Sequence, residues 1–232
     1  MKILSLDTAT EACSAALLID GEIREQYALA PREHTKLILQ MVESLLSDAS
    51  LQIADLDALA FGRGPGSFTG VRIATGVVQG IAFAADLPVV AVSTLASIAQ
   101  IVYEEQNQPD VLAGIDARMG GMYWGCYQLA DNGLMVLTGE EQVSSPAAVK
   151  APKQPGEQTK WCGAGSAWQS YKDQLEQSLA GQITHCFPGY YPHSSSIARL
   201  AADAYERGLA VDASQAQPVY LRNDVAKKAR DQ

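Results

Sequence analysis

Twelve residues with a high density of glycine, Phe61–Arg72, are the first candidate for chemistry in this chain. They read FGRGPGSFTGVR and lie between an apolar run and a helical stretch, Val71–Ala85. A strand, a glycine turn and a helix N-terminus together present backbone N–H groups and the positive end of a helix dipole. Such a turn suits either an anion or a closely approaching stretch of backbone. The stretch matches neither the Walker A pattern nor G-x-G-x-x-G. A glycine turn without such a pattern is more often structural than ligand-binding.

We interpret five residues of this stretch as a structural glycine turn: Gly64, Pro65, Gly66, Gly70 and Arg72. At least one of the three glycines is expected to have a positive φ, where a Cβ would cost about 1 kcal/mol. Substituting alanine at these glycines should therefore lower the stability of the fold before it affects the binding of any ligand.

Two aspartates at strand ends, Asp7 and Asp116, are the next candidates for chemistry. Six residues after each of them, Cys13 and Met122 open a long strand, and turn residues further on predict a hairpin. We interpret this repeat as two copies of one strand–aspartate–hairpin unit. A duplicated α/β chain of this kind is typical of the two-lobed, actin-like ATPase (ribonuclease H-like) fold.

In the active members of that fold, the two turns are rich in glycine and bind the phosphates of ATP with magnesium. Here the turn from Asp7 to Glu11 has no glycine, and Glu11 adds a negative charge. Without glycine the backbone cannot approach a phosphate closely. The sequence therefore predicts a degenerate nucleotide site, in which Asp7 and Asp116 accept hydrogen bonds at the strand ends and take no part in catalysis.

The spacing of histidine, cysteine and serine residues points to no catalytic or metal site. The three histidines, His34, His185 and His193, are not spaced at i, i+4, and the four cysteines form no C-x-x-C pair. No G-x-S-x-G elbow occurs, and Ser67 in the glycine turn has no evident histidine partner. We therefore expect no catalytic residue, no bound cofactor and no metal ion in this chain.

The composition is that of a globular protein. The 232 residues are 47% apolar and 19% charged, enough for one large domain or two lobes, and the net charge of −9 opposes direct reading of nucleic acid. The opening MKILSLD is too short for the apolar region of a signal peptide, and no run of about 18 apolar residues suggests a membrane partner. We expect reduced thiols and a cytoplasmic location.

Periodicity and turn residues predict the elements that must position these residues. Strands are predicted at Ile3–Thr8, Cys13–Ile19, Glu22–Ala30, Ala58–Phe61, Val89–Val92, Val111–Asp116 and Trp161–Gly165, and helices at Glu33–Leu46, Val71–Ala85, Thr94 to about Gln106, Ala167–Leu179 and Ser195–Arg207.

The polar break at Asn107–Pro109 divides the chain into an N-terminal lobe, residues 1–106, and a C-terminal lobe, residues 107–232. The final helix and tail could pack back on the first lobe. A polar connection at Pro146–Gly156 and a basic tail after Arg222 complete the second lobe.

Small and apolar residues on the first two helices predict either core packing or contact with another subunit. Gly76, Gly80 and Ala84 form a line at i, i+4 and i+8, which favours the close approach of another helix. Because the second helix is apolar almost all round, one lobe can cover only part of it. The residues that we assign to a partner interface are Leu37, Ile38, Met41, Leu45, Val71, Thr75, Gly76, Val78 and Gly80. Burial within the lobe remains the alternative.

Five separated segments resemble one family in their order along the chain. They are ILSLDTATEACSAAL, PREHTKLIL, GRGPGSFTGVR, IDARMGGMYW and PVYLRN. Outside the polar connection at Ala151–Lys160, the chain resembles the TsaB (YeaZ) family of bacterial tRNA threonylcarbamoyladenosine biosynthesis proteins. The catalytic paralogue of that family, TsaD, carries a metal-binding H-x-x-x-H on the helix after the next strand. Thr94 and Ile98 stand at those two positions here, and neither side chain can replace an imidazole.

The resemblance implies an accessory subunit that is not an enzyme. It implies a heterodimer with TsaD that the ATPase TsaE joins, a homodimer when TsaD is absent, and contact with tRNA only through the complex. Together these proteins transfer a threonylcarbamoyl group from threonylcarbamoyl-AMP to the adenosine next to the anticodon, with the ATP, metal and adenylate sites on the partners. Two alternatives remain: a peptidase or glycopeptidase, which bound zinc or iron would favour, and a nucleotide sensor, which saturable ADP binding would favour.

Overall fold

The computed structural model describes residues 1–152 and 160–222 of the chain. Its strands are β1 (Lys2–Asp7), β2 (Ala12–Ile19), β3 (Glu22–Leu29), β4 (Ala58–Gly62), β5 (Val89–Val92), β6 (Asp110–Asp116), β7 (Met122–Leu129), β8 (Met135–Ser144), β9 (Trp161–Ala164) and β10 (Ile183–Phe187). Its helices are α1 (His34–Asp48), α2 (Phe68–Ala85), α3 (Thr94–Gln106), α4 (Ser166–Ser170), α5 (Lys172–Ser178) and α6 (Ser194–Glu206). Short 3-10 turns lie at Ile53–Asp55, Pro146–Ala148 and Ala213–Gln215.

Two five-stranded sheets have the same topology. The first has the order β3-β2-β1-β4-β5, and the second has the corresponding order β8-β7-β6-β9-β10. In each sheet, three antiparallel strands joined by hairpins are followed by two parallel strands. The β2–β3 turn has positive φ at Asp20 and Gly21, as a tight hairpin requires. The repeat confirms the predicted duplication and the two-lobed, actin-like (ribonuclease H-like) α/β fold.

The last helix of each lobe packs against the sheet of the other lobe. α3 follows β5 in the chain but contacts β6, β7, β8 and β9, whereas α6 follows β10 but contacts β1, β2, β4 and β5. The two helices also contact each other, so they form the layer between the two sheets. The division into residues 1–106 and 107–232 stays a proposal about sequence units, since each unit contributes a helix to the other's core.

α1 and α2 cover the outer face of the first sheet. Their core-facing residues follow helical spacing, as with Ile38, Met41, Val42 and Leu45 of α1. Within the described ranges, α2 is the one helix long and apolar enough to cross a membrane, judged by length and composition alone. A single such helix is weak evidence, since the core helix of a globular protein passes the same test. Because α2 contacts β1, β4 and β5, packing within the lobe explains much of its apolar composition.

Two elements of the second lobe differ from the prediction. The single helix predicted at Ala167–Leu179 is two short helices, because the backbone at Tyr171 leaves the helical region with a φ of −132°. The prediction has no counterpart of β10, which is a short edge strand with exposed polar residues at Thr184 and His185. The polar connection beyond residue 152 and the basic tail beyond Arg222 lie outside the described residues.

Candidate functional site

The glycine turn after β4 packs against the turn between β1 and β2. A Cβ on Gly66 would overlap the carbonyl oxygen of Ala9, and a Cβ on Gly70 would overlap that of Thr8. Hydrogen bonds also join the two turns: the amide of Ser67 donates to the carbonyl of Ala9 at 2.7 Å, and the hydroxyl of Thr8 donates to the carbonyl of Gly70 at 2.6 Å. These glycines thus give room to a neighbouring backbone, one of the two uses left open by the sequence.

The remaining residues of the turn set its shape and its link to the C-terminal segment. Gly64 has a φ of +93° and precedes Pro65 across a cis peptide bond. The guanidinium of Arg72 lies over the ring of Phe68, 3.3 Å from its centroid, and 5.2 Å from the ring centroid of Tyr220. Arg72 therefore connects the first turn of α2 to the segment that follows the last 3-10 turn.

Asp7 and Asp116 occupy equivalent positions but differ in their surroundings. Asp7 is 0% exposed; its Oδ1 accepts from the amide of Ala9 at 2.9 Å, and its Oδ2 has no hydrogen-bond partner in the described part of the chain. Burial raises the pKa of Asp7 to about 7. Asp116 accepts from the amide and guanidinium of Arg118 and from the hydroxyls of Ser170 and Tyr171. Arg118 also reaches Glu11 of the first turn at 3.1 Å, which joins the two turns across the lobes.

A second polar contact between the lobes centres on Glu141 of β8. Its largely buried carboxylate accepts hydrogen bonds from the hydroxyl of Ser93 and from that of Tyr127, the latter at 2.5 Å. The guanidinium of Arg63, at the end of β4, lies 3.8 Å from it. Burial and the adjacent carboxylate raise the pKa of Tyr127 well above its ordinary value, so its hydroxyl stays a donor. This cluster holds β8 at the N-terminus of α3.

No group of three histidine, cysteine, aspartate or glutamate side chains in residues 1–152 and 160–222 could hold a metal ion. Thr94 and Ile98, at the positions of the paralogue's histidines, are buried in the core. The ring of His193 lies 2.9 Å from the carboxylate of Glu25 through Nδ1 and stacks on Tyr27. Burial raises the pKa of Cys13 to about 11 and those of Cys126 and Cys162 to about 12. These cysteines are therefore thiols near neutral pH, with little thiolate for metal binding or nucleophilic attack.

Six of the nine residues predicted at a partner interface lie in the core of the first lobe. They are Ile38, Met41, Leu45, Val71, Thr75 and Val78. The helical stripe that carries them faces the lobe's own sheet, which corrects their assignment to a surface. Leu37 is half-buried, and Gly76 and Gly80 are exposed. A partner surface on α1 and α2 stays a prediction and now rests on the outward sides of these helices.

The outward side of α1 and α2 carries large apolar residues that the sequence reasoning did not assign to an interface. Phe83 is 85% exposed, Phe68 is 62% exposed and Leu39 is 54% exposed. Gly76 and Gly80 lie between the two phenylalanines, and a Cβ on either would meet no described atom within 4 Å. We name these five residues the α1–α2 face. In the sequence, the only sign of these residues is their position along each helix, which places them outside the buried stripe.

The chain is similar in sequence to known proteins over nearly its whole length. A family model described as TsaD, tRNA N6-adenosine threonylcarbamoyltransferase, matches residues 26–230. The chain is 43% identical to the tRNA threonylcarbamoyladenosine biosynthesis protein TsaB of Escherichia coli K12, over 98% of this chain and 97% of that protein. It is 38% identical to TsaB of Haemophilus influenzae, over 98% of this chain and 96% of that protein.

Solved structures agree with the sequence comparison. YeaZ from Pseudomonas aeruginosa has a TM-score of 0.88 and 47% sequence identity, and the match covers 95% of this chain and 99% of that one. The similarity therefore extends over nearly the whole of both chains. On this basis the chain belongs to the TsaB (YeaZ) family of tRNA threonylcarbamoyladenosine biosynthesis proteins, within the wider family that the TsaD model describes.

Proposed function

We propose that this chain is a non-catalytic subunit of the complex that forms threonylcarbamoyladenosine next to the tRNA anticodon. In this role it binds a catalytic paralogue, TsaD, which transfers the threonylcarbamoyl group from threonylcarbamoyl-AMP, and the ATPase TsaE joins the assembly in the cytoplasm. The names of the relatives support the pathway. Contact with tRNA is made through the complex, because the net charge of −9 opposes direct binding of a phosphate backbone.

The observation that carries the docking role is the α1–α2 face. Glycine in the middle of a helix costs about 1 kcal/mol relative to alanine. No contact within the described chain requires Gly76 or Gly80 to lack a side chain. A helix of another subunit that lies against the two glycines would account for that cost, because backbones approach closely where side chains are absent. It would also cover Phe83, a large apolar side chain that is 85% exposed two residues before the end of α2.

The non-catalytic part of the proposal is supported by the state of the two turns. Asp7 is enclosed and cannot meet a substrate in this conformation, and Asp116 is already engaged by Arg118, Ser170 and Tyr171. Thr94 supplies a hydroxyl where the paralogue has an imidazole. The isolated chain should therefore neither hydrolyse ATP nor cleave peptides.

Co-purification with the paralogue, followed by a tRNA modification assay, tests the proposal. Phe83→Asp places a charge on the α1–α2 face at a side chain that is 85% exposed, so the variant should fold, fail to co-purify and fail to support modification. Val136→Asp changes a residue that is 53% exposed on β8 of the second lobe, and it should behave as wild type. Full modification without this chain, or with Phe83→Asp, would contradict the proposed role.

A further inference from the structure

Two exposed aromatic rings and an arginine lie together where the C-terminal segment crosses the start of α2. Phe68, the first residue of α2, is 62% exposed, and Tyr220 is 42% exposed. Their ring centroids lie 5.8 Å apart, with 39° between the ring planes. The guanidinium of Arg72 lies 3.3 Å from the ring centroid of Phe68 and 5.2 Å from that of Tyr220. We name Phe68, Arg72 and Tyr220 the Arg72 patch.

Contacts of the surrounding backbone hold the patch in its shape. The amide of Val219 donates at 2.8 Å to the carbonyl of the residue after β4, and the guanidinium of Arg222 donates at 3.1 Å to a carbonyl of the β6–β7 turn. Tyr220 lies between these two anchors, which keep its ring beside α2. Arg72 is the fourth residue after Phe68, a spacing that places both side chains on one face of the helix. The patch is therefore preformed in the isolated chain.

The charge of Arg72 is not paired within residues 1–152 and 160–222. Arg207, on the surface of α6, pairs with Asp203 at 3.1 Å, whereas no hydrogen bond or ion pair in the described chain uses the N–H groups of Arg72. The first turn of α2 also has no acidic residue to offset the positive end of the helix dipole. Because the Phe68 ring covers a face of the guanidinium, the N–H groups project from its edges, in the fork that matches a carboxylate.

We propose that the Arg72 patch is a docking site for an extended segment of a protein partner, one that carries a carboxylate between apolar side chains. The carboxylate accepts two hydrogen bonds from Arg72, and the apolar side chains cover the rings of Phe68 and Tyr220. Aromatic residues and arginine are the types enriched at the centres of protein interfaces. Met119, 76% exposed on the turn that holds Arg222, adds a further apolar side chain nearby.

Charge complementarity favours a protein carboxylate over a phosphate backbone at this patch. The net charge of −9 repels a long polyanion such as RNA more strongly than it repels a segment with one or two carboxylates. A single guanidinium also offers one fork, whereas nucleic-acid surfaces group many lysine and arginine side chains on one face.

The Arg72 patch and the α1–α2 face are separable surfaces that share Phe68. Phe83, at the other end of the α1–α2 face, lies 15 residues after Phe68, which is about 22 Å along a straight helix. The docking of an acidic segment therefore does not depend on the proposed role in tRNA modification, and the two proposals can fail independently.

Fluorescence anisotropy with labelled peptides tests the proposal on the full chain. The probe is a short peptide in which glutamate alternates with leucine and phenylalanine, and a matched probe carries glutamine in place of glutamate. The glutamate probe should bind roughly tenfold more tightly than the glutamine probe, and added salt should reduce this preference. Arg72→Gln should abolish the preference, whereas Arg207→Gln removes the same charge from another exposed position and should retain it. Arg72→Lys should lose roughly threefold or more in affinity, because an ammonium cannot form the fork.

Three results would overturn the proposal. One is an equal loss of affinity in Arg72→Gln and Arg207→Gln, which would show that net charge alone matters. Another is tighter binding of a single-stranded RNA oligonucleotide than of the glutamate probe, lost in Arg72→Gln, which would make the patch a nucleic-acid surface. The third is no binding of the glutamate probe at millimolar concentration.

Tyr220→Leu provides a second variant that keeps the guanidinium, and it decides if Arg72→Gln does not fold. It should weaken the glutamate and glutamine probes by the same factor of roughly threefold or more, because the ring contacts the apolar side chains that both probes carry. Thermal melting of each variant confirms that it is folded. Unchanged affinity for both probes in a folded Tyr220→Leu would show that the segment does not bind at this patch.

Discussion

Glycine has two opposite uses in this chain, and they can be separated residue by residue. Gly66 and Gly70 lack a Cβ because the carbonyl groups of Ala9 and Thr8 occupy that space. Gly76 and Gly80 face outward, where a Cβ would meet nothing within the described chain. Alanine should therefore be harmful in the first pair and favourable in the second, although all four are glycines in one 15-residue stretch of sequence.

Gly70→Ala and Gly76→Ala should change the stability of the isolated chain in opposite directions. Gly70→Ala should lower the free energy of unfolding by about 2 kcal/mol or more, because the backbone of the β1–β2 turn must move. Gly76→Ala should raise it by about 0.5–1 kcal/mol through helix propensity. Urea unfolding at concentrations where the chain is monomeric measures both. A destabilised Gly76→Ala would indicate a contact within the chain that the structure lacks.

The buried carboxyl of Asp7 should make stability depend on pH in a defined window. Its pKa of about 7 in the fold lies above the ordinary 3.8, so the folded chain keeps a proton that the unfolded chain loses. This stabilising contribution is complete below about pH 4 and is lost as the pH rises to about 7. Relative to wild type, Asp7→Asn should gain up to about 1.4 kcal/mol per pH unit between pH 5 and 7 and nothing above. Denaturation curves of wild type and Asp7→Asn at four pH values measure this gain, and a stability difference that stays the same from pH 5 to 7 would contradict it.

At the scale of the elements, Ser93 and Ser67 each cap the N-terminus of a helix, but Ser93 makes more hydrogen bonds than Ser67. The hydroxyl of Ser93 accepts from the amides of Leu95 and Ala96 at the start of α3 and donates to the buried Glu141. The hydroxyl of Ser67 accepts one long bond, 3.4 Å from the amide of Gly70. Ser93 thus links a helix cap to the contact between the lobes, and Ser67 caps α2 alone.

Ser93→Ala should therefore cost more stability than Ser67→Ala. Loss of the cap and of one donor to a buried carboxylate should lower the free energy of unfolding by about 2–3 kcal/mol, against about 0.5–1 kcal/mol for Ser67→Ala. Adding Glu141→Gln should recover part of the loss, since the amide leaves no unpaired charge. Thermal unfolding of the three variants measures this, and equal costs for the two serines would contradict the role of Glu141.

Local pattern predicted most of the elements, because β1, β2, β6 and β7 are long apolar strands with marked turns between them. β10 was beyond that reasoning, since an edge strand with exposed His185 has no apolar alternation. The packing of the final helix against the first lobe was anticipated, but the crossing of α3 to the second sheet was beyond that reasoning, because helical periodicity states which side of a helix is buried and not which element covers it. The same limit explains why Met41 and Val78 were assigned to a partner interface. Helical spacing identified them as packing residues, but they pack against the lobe's own sheet.

At the scale of the whole molecule, several connections make the two lobes one unit. α3 and α6 each cross to the other sheet, and Arg118 pairs with Glu11 across the turns. The C-terminal segment adds a further link: the amide of Val219 donates to the carbonyl of Arg63 at 2.8 Å, and Arg222 donates to the carbonyl of Ala117 at 3.1 Å. With the lobes held in this way, we expect the α1–α2 face to behave as one rigid surface on the outside of the first lobe.

A rigid face of this kind should be shared by two mutually exclusive assemblies. A stable pairing buries about 1,600 Å² in total, which two helices from each subunit can supply. If the homodimer and the heterodimer with the catalytic paralogue both use the α1–α2 face, adding the paralogue should convert homodimer into heterodimer with no complex that contains two copies of this chain. Gly76→Leu and Gly80→Leu should weaken both assemblies by tenfold or more while leaving the isolated chain folded, because a Cβ at either position meets no atom of the described chain within 4 Å, whereas the added side chain blocks a close helix. Light scattering after size-exclusion chromatography, with Val136→Asp as the control, measures this; a paralogue that binds the intact homodimer would place one of the two contacts on another surface.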